Sequence, residues 1–496
     1  MGIVSFLAPW VAGFRYRQIQ QQAKHAVSIQ NQLLQKLIIS ATNTQFGKEH
    51  HFRQLHSVAD FQKAVPVRSY ESFLPFLKPA IEGEANQTWT GKPLYFAKTS
   101  GTTAGSKFIP ITKDSIHYQI TGARDSLLCY LHLNPKANFL QGKLMFLSGS
   151  PQLDTHAGIP VGRLSGIVNH FVPSYLRTQQ VPSYQTNCIE EWEAKIDAIV
   201  EETIHQDLRL ISGIPPWVQM FFERVKEKTG KLPSENWKNL NLFVHGGVDF
   251  SPYREFMMHS LGKHTDLVEV FPASEGFFAF QDDYQNEGLL LMPDYGIFYE
   301  FIPMDSYFSD SPKRVTLAEV ELNKQYAMII STNAGLWAYD IGDTVRFVSL
   351  NPYKIKVSGR VKHFISAFGE HVIEEEVNFA INYACEQTNT VVREYTVAPY
   401  VQGVESRHQW LIEFESCSDF ETFSAIVDQT LQKKNSYYHD LRKGGILLPA
   451  EIISVKPSAS IEYMKSVGKL GGQNKFPKLS NHRIIADFLL QFKIDK

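Results

Sequence analysis

The segment from Phe96 to Lys107 combines hydroxyl groups, glycines and a terminal lysine, a set of groups that can hold phosphate. Glycines let backbone N–H groups approach an anion, hydroxyls donate further hydrogen bonds, and the lysine adds positive charge. The spacing, G-x-x-x-G-x-K, is not that of a Walker A loop, so an ordinary P-loop nucleotidase is not expected. A polar turn between two strands explains the same residues. The segment alone therefore leaves a phosphate loop and a plain turn equally open.

Three later segments each offer one charged group to a nucleotide. Glu275 follows a predicted strand, where its carboxylate could hold Mg²⁺ beside phosphate oxygens. Asp343 follows a glycine ahead of another predicted strand and could accept both hydroxyls of a ribose. Lys475 lies in a glycine-rich loop near the carboxyl end of the chain. Taken singly, each of the three is better explained as an ordinary turn residue.

Composition and missing motifs narrow the function classes. The 496 residues exceed one ordinary compact core, so we expect two or more domains. A formal net charge of −2 gives no electrostatic reason to bind nucleic acid or an anionic membrane. The sequence lacks H-E-x-x-H, G-x-S-x-G, and G-x-G-x-x-G after a strand, which argues against a zinc protease, a serine hydrolase and a Rossmann dehydrogenase. The cysteines are far apart and predict reduced thiols in a cytosolic protein: Cys129, Cys188, Cys385 and Cys417.

Short apolar strands that end in small residues must position these groups. We predict such strands at residues 144–147, 208–211, 240–244 and 267–271, several of them followed by helical patterns. This alternation indicates an α/β sheet. Because ligands of such sheets collect at the carboxyl ends of the strands, we expect the site among the loops that follow them.

The amino-terminal part predicts helix and then loop. An amphipathic helix is expected over residues 18–41, followed by a loop-rich stretch containing Pro66, Pro75 and Pro79. Residues 1–14 are apolar but too few to span a membrane, and we expect them to pack against the body of the protein.

The carboxyl-terminal part predicts a smaller domain. From residue 362 onward the pattern is β-α-β-β-α-β, which is typical of a ferredoxin-like α+β domain. We place the domain boundary between residues 355 and 356.

The order of these charged segments, together with a Gly-Arg pair at residues 359–360, resembles the adenylate-forming superfamily of acyl-CoA synthetases, luciferases and peptide-synthetase adenylation domains. That superfamily carries a phosphate loop ending in lysine, an aromatic-x-x-Ser/Thr-Glu segment, a Tyr-x-x-Gly-Asp segment and a Gly-Arg hinge. In this chain the four motifs are Thr99 to Lys107, Phe271 to Glu275, Tyr339 to Asp343, and Gly359-Arg360.

Within the superfamily the closest likeness is to the auxin-responsive Gretchen Hagen family of acyl acid–amido synthetases. Its marks are A-G-L-W-A-Y at residues 334–339 and Q-N-K-F-P-K at residues 473–478. Plant members carry arginines where this chain has Ala338 and Asp340, and an arginine is usual where it has Lys478. These departures, and a likeness to the bacterial branch, leave the acid substrate open.

The resemblance implies an α/β fold in two domains. Residues 1–355 would form a large N-terminal adenylate-forming domain with β-sheets and surrounding helices, which binds ATP and the acyl substrate. Residues 356–496 would form a small, mobile C-terminal α+β lid of the ferredoxin-like type.

The resemblance also implies a reaction and its reactants. The enzyme would adenylate a carboxylic acid with ATP and Mg²⁺, and then pass the acyl group to the amine of an amino acid. No nucleic-acid partner and no membrane span are expected, and the protein is expected to be a cytoplasmic monomer. Two alternatives remain: a ligase that uses coenzyme A as acceptor, and a non-catalytic nucleotide-binding or small-acid-binding protein of the same fold.

Residue roles follow from the matched motifs. Lys107, Glu275 and Lys475 would be catalytic, Glu275 would ligate Mg²⁺, and Lys362 would be the hinge pivot. The residues that would bind ATP or AMP are Thr99, Ser100, Gly101, Thr102, Thr103, Gly105, Lys107, Gly246, Gly247, Ala273, Ser274, Glu275, Tyr339, Asp343 and Arg360.

Overall fold

The computed structural model describes residues 2–100, 106–248, 250, 253–262, 264–309, 312–360, 364–365, 370, 372–402, 405–443, 447–471 and 474–494. By compactness the chain divides into two units. Unit 1 holds Met1–Val248 and Met257–Val357, and unit 2 holds Asp249–Phe256 and Ser358–Lys496. The domain boundary that the sequence predicts at residue 355 stays a prediction, and the sequence gives no sign that residues 249–256 group with the carboxyl-terminal part.

Unit 1 contains most of the helices. They are α1 (Gly2–Lys24), α2 (Ala26–Ala41), α3 (Gln45–Glu49), α4 (Val58–Ala64), α5 (Tyr70–Ile81), α6 (Lys113–Leu133), α7 (Leu164–Asn169), α8 (Ser174–Arg177), α9 (Tyr184–Asn187), α10 (Trp192–Thr203), α11 (Pro215–Thr229), α12 (Pro233–Asn236) and α13 (Arg254–Leu261), of which the first turn belongs to unit 2. The single helix expected over residues 18–41 is therefore two helices that meet at His25.

The stretch expected to be loop-rich holds helix α5. Both Pro75 and Pro79 lie inside it, although proline removes a helical hydrogen bond. The Ser69 hydroxyl caps the first turn, and the helix buries an apolar face that contains Tyr70, Phe73 and Leu77. Burial of that face stabilises the helix despite the prolines, so the expectation of a loop was wrong.

The strands of unit 1 form two sheets. They are β1 (Tyr95–Ser100), β2 (Ser106–Ile111), β3 (Lys143–Phe146), β4 (Asp154–His156), β5 (Ile159–Gly162), β6 (Gln180–Val181), β7 (Leu208–Gly213), β8 (Leu242–Gly246), β9 (Asp266–Ala273), β10 (Gly276–Phe280), β11 (Leu289–Leu291), β12 (Ile297–Pro303), β13 (Val315–Thr316), β14 (Gln325–Thr332), β15 (Tyr339–Leu350) and β16 (Tyr353–Arg360), which continues into unit 2. The predicted strands at residues 144–147, 208–211, 240–244 and 267–271 correspond to β3, β7, β8 and β9.

The larger sheet has the order β13-β12-β14-β15-β16-β11-β10-β9-β8-β7-β3-β6 among the described residues. Strands β6, β3, β7, β8 and β9 run parallel to one another, so their carboxyl ends lie along one edge. The smaller sheet has the order β2-β1-β5-β4. The mixed α/β class predicted from the sequence is confirmed.

Unit 2 is an α+β unit. Its elements are β17 (Phe364–Ile365), β18 (Val372–Ile373), α14 (Glu374–Thr388), β19 (Val391–Gln402), β20 (Glu405–Ser416), α15 (Phe420–Lys434), α16 (Ser436–Lys443), β21 (Glu451–Val455), α17 (Ala459–Ser466) and α18 (Ile484–Leu489). The described part of its main sheet has three strands in the order β19-β20-β21. The strand expected from residue 362 onward appears there as β17, which pairs with β18 in a separate short ladder.

Helices α14 and α15 cover one face of this three-stranded sheet. Trp410, Val397 and Phe423 are fully buried in the resulting core. Across both units, none of the described helices is long and apolar enough to cross a bilayer.

Candidate functional site

Strands β1 and β2 flank the predicted phosphate loop. They pair antiparallel, and Thr99 lies opposite Lys107 at the end of the ladder. Gly101, Thr102, Thr103 and Gly105, all predicted to bind phosphate, lie outside the described residues. For Ser100 the description covers the backbone alone, which pairs with that of Ser106. The described strands therefore fix the position of Thr99 and Lys107 at the foot of this loop.

The Lys107 ammonium lies over an aromatic ring. Its Nζ is 5.0 Å from the ring centroid of Tyr70, the first residue of α5. The Tyr70 hydroxyl in turn accepts a hydrogen bond from the backbone N–H of Phe108 at 2.9 Å. A cation over a phenol ring is attracted by the negative face of the ring, so Tyr70 orients Lys107 while leaving it charged.

Two glycines end strand β8. A Cβ on Gly246 would lie 2.0 Å from the carbonyl oxygen of Val270 on β9, so only glycine lets these two strands pair here. Gly247 has a φ of +85°, which glycine adopts without strain. Both positions at the carboxyl end of β8 therefore require glycine, the first for close strand pairing and the second for its backbone conformation.

Ser274 and Glu275 form the turn between β9 and β10. Ala273 pairs with Gly276, so the two residues between them close a tight hairpin. The Ala273 carbonyl accepts a hydrogen bond from Nε2 of Gln119 on α6 at 2.7 Å. The sequence predicted that Glu275 follows a strand, and the structure adds that a second strand returns at once and holds the turn.

Tyr339 connects the Glu275 turn to the Lys107 strand. Its side chain is buried, and its pKa is raised by burial and then by the neighbouring Glu275 and Tyr70. Its backbone forms a bridge to Arg68, just ahead of α5. Lys107 lies over Tyr70, and Tyr70 and Glu275 both lie close enough to Tyr339 to raise its pKa, so unit 1 groups these four residues although they are far apart in the sequence.

Asp343 lies in a bulge inside strand β15. Asp340 pairs with Ile329 and Thr344 with Ala327, so residues 341–343 face only Met328 on β14. Gly342 has a φ of +78°, and its N–H donates to the Asp340 carboxylate at 2.8 Å. Asp343 had been expected ahead of the strand. It lies within it because β15 begins at Tyr339, and the bulge changes the direction in which residues 341–343 project.

Asp340, one of the departures from plant members, has its own partner. Its carboxylate accepts a hydrogen bond from the Tyr307 hydroxyl. Burial and the adjacent Asp340 raise the pKa of Tyr307. Asp340 therefore holds the bulge through Gly342 on one side and Tyr307 on the other.

The A-G-L-W-A-Y segment at residues 334–339 packs into the core of unit 1. Trp337 is fully buried among Phe46, Phe52 and Phe61, and its indole N–H donates to the Thr88 carbonyl at 3.0 Å. A Cβ on Gly335 would lie 2.8 Å from the backbone carbon of Thr88. This segment thus fixes the start of β15 and with it the placement of Tyr339.

Fewer structural details describe the predicted site residues of unit 2. Lys475 is exposed, four residues before Leu479, which forms a parallel bridge with Val397 of β19. The Arg360 backbone ends β16, and its side chain is not described. Lys362 lies outside the described residues.

Lys478 lies in a buried polar network of unit 2. Its ammonium pairs with the Glu394 carboxylate, which also accepts a hydrogen bond from Tyr253 at 3.3 Å. Burial lowers the pKa of Lys478, but Glu394 and Tyr253 outweigh it and raise the pKa overall. The network joins residues 249–256 to the carboxyl-terminal part of the unit.

Sequence reasoning missed Tyr70, Gln119 and Tyr307. Each touches the predicted site from a distant part of the chain, at separations of 38, 154 and 33 residues from its partner. No local pattern marks them, because the sequence contains no signal for which side chains meet across the fold.

The carboxylate available at the site suits a magnesium ion that is bound together with phosphate groups. The described residues contain no group of three or more His, Cys, Asp or Glu that could enclose a metal. Glu275 is a single, partly exposed carboxylate on a tight turn, and Mg²⁺ is commonly bound by one or two carboxylates plus substrate phosphates and water. The site therefore fits a metal that arrives with a nucleotide.

Comparison with known proteins gives matches along most of the chain. Residues 15–177 match the GH3 family N-terminal domain, residues 290–360 its central domain and residues 375–484 its C-terminal domain. GH3 is the Gretchen Hagen family that the sequence motifs resemble.

Curated relatives are distant but extensive. A jasmonoyl–L-amino acid synthetase of Nicotiana attenuata is 21% identical in an alignment that covers 65% of this chain and 67% of that protein. An indole-3-acetic acid-amido synthetase of Arabidopsis thaliana is 22% identical in an alignment that covers 84% of this chain and 81% of that protein.

Solved structures share the fold. The acyl acid amido synthetase GH3.15 superposes with a TM-score of 0.80 at 15% identity, covering 97% of this chain and 96% of that one. A 2-hydroxyisobutyryl-CoA ligase in its postadenylation state has a TM-score of 0.54 at 12% identity, covering 96% and 90%. These neighbours confirm the predicted fold class, and the matches to all three domain models confirm the resemblance: the chain belongs to the GH3 family.

Proposed function

We propose that this protein is an ATP-dependent acyl acid–amido synthetase. In the first half-reaction a carboxylate oxygen attacks the α-phosphorus of ATP, the bond to the bridging oxygen breaks, and pyrophosphate leaves with an acyl adenylate formed. In the second, the amine of an amino acid attacks the acyl carbonyl, loses a proton, and expels AMP to leave an amide. Adenylation is needed because a free carboxylate has a poor leaving group.

The cluster of Lys107, Tyr70, Tyr339 and Glu275 carries the proposal. The Lys107 ammonium lies over Tyr70, and the Glu275 carboxylate and Tyr70 both lie near Tyr339. Glu275 follows β9, at the strand ends where ligands of α/β sheets bind. A triphosphate and its metal need that combination of charges. Family membership supports the same reaction class.

We assign the nucleotide to the carboxyl ends of β8 and β9. Gly246 and Gly247, with Ala273 and Ser274, would line the adenine, Tyr339 would wall the pocket, and Asp343 would accept the ribose hydroxyls. The β1–β2 segment would hold the β- and γ-phosphates through Thr99, Ser100, Gly101, Thr102, Thr103, Gly105 and Lys107.

Glu275 is the residue that would hold magnesium, which when bound would neutralise phosphate charge. The protein's own contribution to the first step is positioning and charge. Lys107 and the loop's N–H and hydroxyl groups would hold the leaving pyrophosphate, so that the carboxylate can approach the α-phosphorus opposite the departing oxygen.

Unit 2 would act as a lid. Lys475 would bring a second ammonium to the charge that develops during adenylation, and Arg360 and Lys362 would form the hinge. Closing such a lid excludes water, which would otherwise hydrolyse the acyl adenylate.

The test is acid-dependent exchange of pyrophosphate into ATP, after a screen that finds an active acid. Asp343→Ala and Lys475→Ala should slow exchange by about 100-fold or more, since each removes a charged contact to the nucleotide or the transition state. Asp305→Ala, which alters an exposed carboxylate paired with Lys324, is the matched control and should leave exchange unchanged. Unchanged exchange in both site variants would refute the assignment.

Product analysis separates the alternatives. Amino acids should give an amide and AMP, whereas coenzyme A should give no thioester. A thioester as the main product would make the protein a coenzyme A ligase. ATP binding without pyrophosphate release across a broad acid panel would instead indicate a non-catalytic binding protein.

A further inference from the structure

Two cations lie at the carboxyl end of strand β3, away from the nucleotide assignment. Lys195 on α10 is 3% exposed, and its ammonium donates to the carbonyls of Ser148 at 3.0 Å and Asn187 at 2.8 Å. Arg163, just before α7, lies against Gly149, where an added Cβ would be 2.7 Å from the arginine Cδ. Ser148 and Gly149 are consecutive and follow β3, so both cations border the same turn.

No carboxylate balances these two charges. Among the described residues the Arg163 guanidinium has no hydrogen bond and no ion pair, and Lys195 donates only to the two carbonyls. Burial lowers the pKa of Arg163. Burial also lowers the pKa of Lys195 to about 8, with Cys188 raising it in part and Arg163 lowering it further. Partly desolvated cations without a counter-charge are costly, so an anion that contacts both of them would be bound well.

A third donor points to the same ligand. The indole N–H of Trp192 is buried and has no hydrogen-bond partner in the described structure. Trp192 precedes Lys195 by three residues on α10, so the two side chains lie on the same face of that helix. An unpartnered buried N–H on the helix face that carries Lys195 gives an anion a third donor.

Distance decides which anion this is. In the sheet order β9-β8-β7-β3, three strand spacings of about 4.8 Å separate β3 from β9, or about 14 Å. The reacting carboxylate and the amino acid's α-carboxylate must both lie near the α-phosphate assigned to the β8 and β9 ends. Neither group extends across three strands to β3, so we assign the anion to the distal end of the acid substrate.

We propose that Arg163, Lys195 and Trp192 bind a second anionic group at the far end of the acid, so that the enzyme prefers dicarboxylic acids over monocarboxylic ones. This proposal rests on the function proposed above. The span favours α,ω-dicarboxylic acids of roughly eight to twelve carbons, because the cation side chains cover part of the 14 Å.

The experiment compares matched acids and matched variants. Pyrophosphate exchange is measured with decanedioate and decanoate. It is also measured with the other even-numbered pairs of dicarboxylate and monocarboxylate, from six to twelve carbons. Wild-type protein should show a kcat/KM at least about 10-fold higher for the dicarboxylate. Arg163→Gln keeps an aliphatic stem over Gly149. It should lower kcat/KM for the dicarboxylate about 10- to 100-fold, through a higher KM, and leave kcat/KM for the monocarboxylate within about twofold of the wild-type value.

Two further variants guard against a folding artefact. Lys195→Met should give the same selective loss, since Met keeps an apolar stem of similar length. Lys143 lies at the opposite end of β3, where its ammonium donates to the Thr178 carbonyl at 2.9 Å. Lys143→Gln removes that cation and should change kcat/KM for neither acid. Equal activation of both acid types by the wild type, or an equal effect of Arg163→Gln on both, would overturn the distal-anion assignment while the proposed function stands.

Failure of the proposed function is distinguishable. If neither acid series releases pyrophosphate, the melting temperature is measured with and without decanedioate. Stabilisation of the wild type that is lost in Arg163→Gln would support the anion site on its own. No stabilisation of the wild type would overturn it.

Discussion

At the scale of single residues, Tyr70 shows how an unremarked aromatic side chain supports a charged one. It carries no reactive role in any motif, yet its ring lies under the Lys107 ammonium and its hydroxyl holds the β2 backbone. Lys107, Glu275 and Asp343 could be predicted from sequence because a family resemblance points to them. Tyr70 could not, because nothing local tells that α5 meets β2.

Replacing Tyr70 separates the two contacts. Tyr70→Phe keeps the ring and should change KM for ATP by less than about threefold, whereas Tyr70→Leu removes the face beneath Lys107 and should raise KM about 3- to 30-fold. Steady-state exchange kinetics with both variants checks this. Equal KM values for the Phe and Leu variants would show that the ring does not hold Lys107.

Lys195 gives a prediction in pH. Its pKa of about 8 in the folded protein is below the usual 10.5, so the buried charge opposes folding fully below pH 8, and the opposition fades as pH rises to about 10.5. Stability of the wild type relative to Lys195→Met should therefore increase over that window, by about 3 kcal/mol at most. Urea unfolding at pH 7 and pH 9.5 measures the difference. A wild-type stability that stays constant or falls with pH relative to that of Lys195→Met would contradict the assignment.

At the scale of elements, the bulge in β15 places Asp343 where a regular strand would not. Three residues opposite one partner turn Asp343 out of the ladder, and Asp340 holds the turn through Gly342. Buried parallel strands such as β3, β7, β8 and β9 were predictable because they are continuous apolar runs. The bulge could not be predicted, because its register depends on pairing with β14. Helix α5 could not be predicted either, because its prolines disfavour a helix and tertiary burial stabilises it.

Gly342 tests the bulge directly. Gly342→Ala should cost about 1 kcal/mol of stability from backbone strain alone, because φ is +78° and nothing lies within 4 Å of the added Cβ. It should also raise KM for ATP. Gly158, with a φ of +77° and equally open surroundings beside β5, is the matched control. Gly158→Ala should lose the same stability and keep the wild-type KM for ATP. A matching rise in KM for that variant would show that the β15 bulge has no specific effect on ATP binding.

At the scale of the whole molecule, unit 2 is held by a buried ion pair. Lys478→Met would leave Glu394 buried without its cation and should cost about 3–5 kcal/mol. Lys324→Met breaks a more exposed pair with Glu321 and should cost less than about 1 kcal/mol. Denaturant unfolding of the full chain compares them. Similar small losses in both variants would mean that the Lys478 pair contributes little to unit 2.

The two-part organisation could be predicted from sequence, but not its connectivity. The change of pattern after residue 355 follows from local elements, whereas β16 runs without a break through the predicted boundary. The grouping of residues 249–256 with unit 2 depends on the contacts of Tyr253 with Glu394, which are 141 residues apart. The nucleotide-binding residues, the monomeric state and the cytoplasmic location remain predictions.

Because unit 2 takes residues from two separate stretches, the backbone passes between the units three times, after Val248, after Phe256 and after Val357. A single proteolytic cut after Val357 would therefore split unit 2 itself. A fragment ending there would retain Asp249–Phe256 but lose Glu394 and Lys478, and so leave the buried Tyr253 hydroxyl without its acceptor. Truncation is thus a poor way to isolate the larger unit, unless Tyr253 is replaced as well.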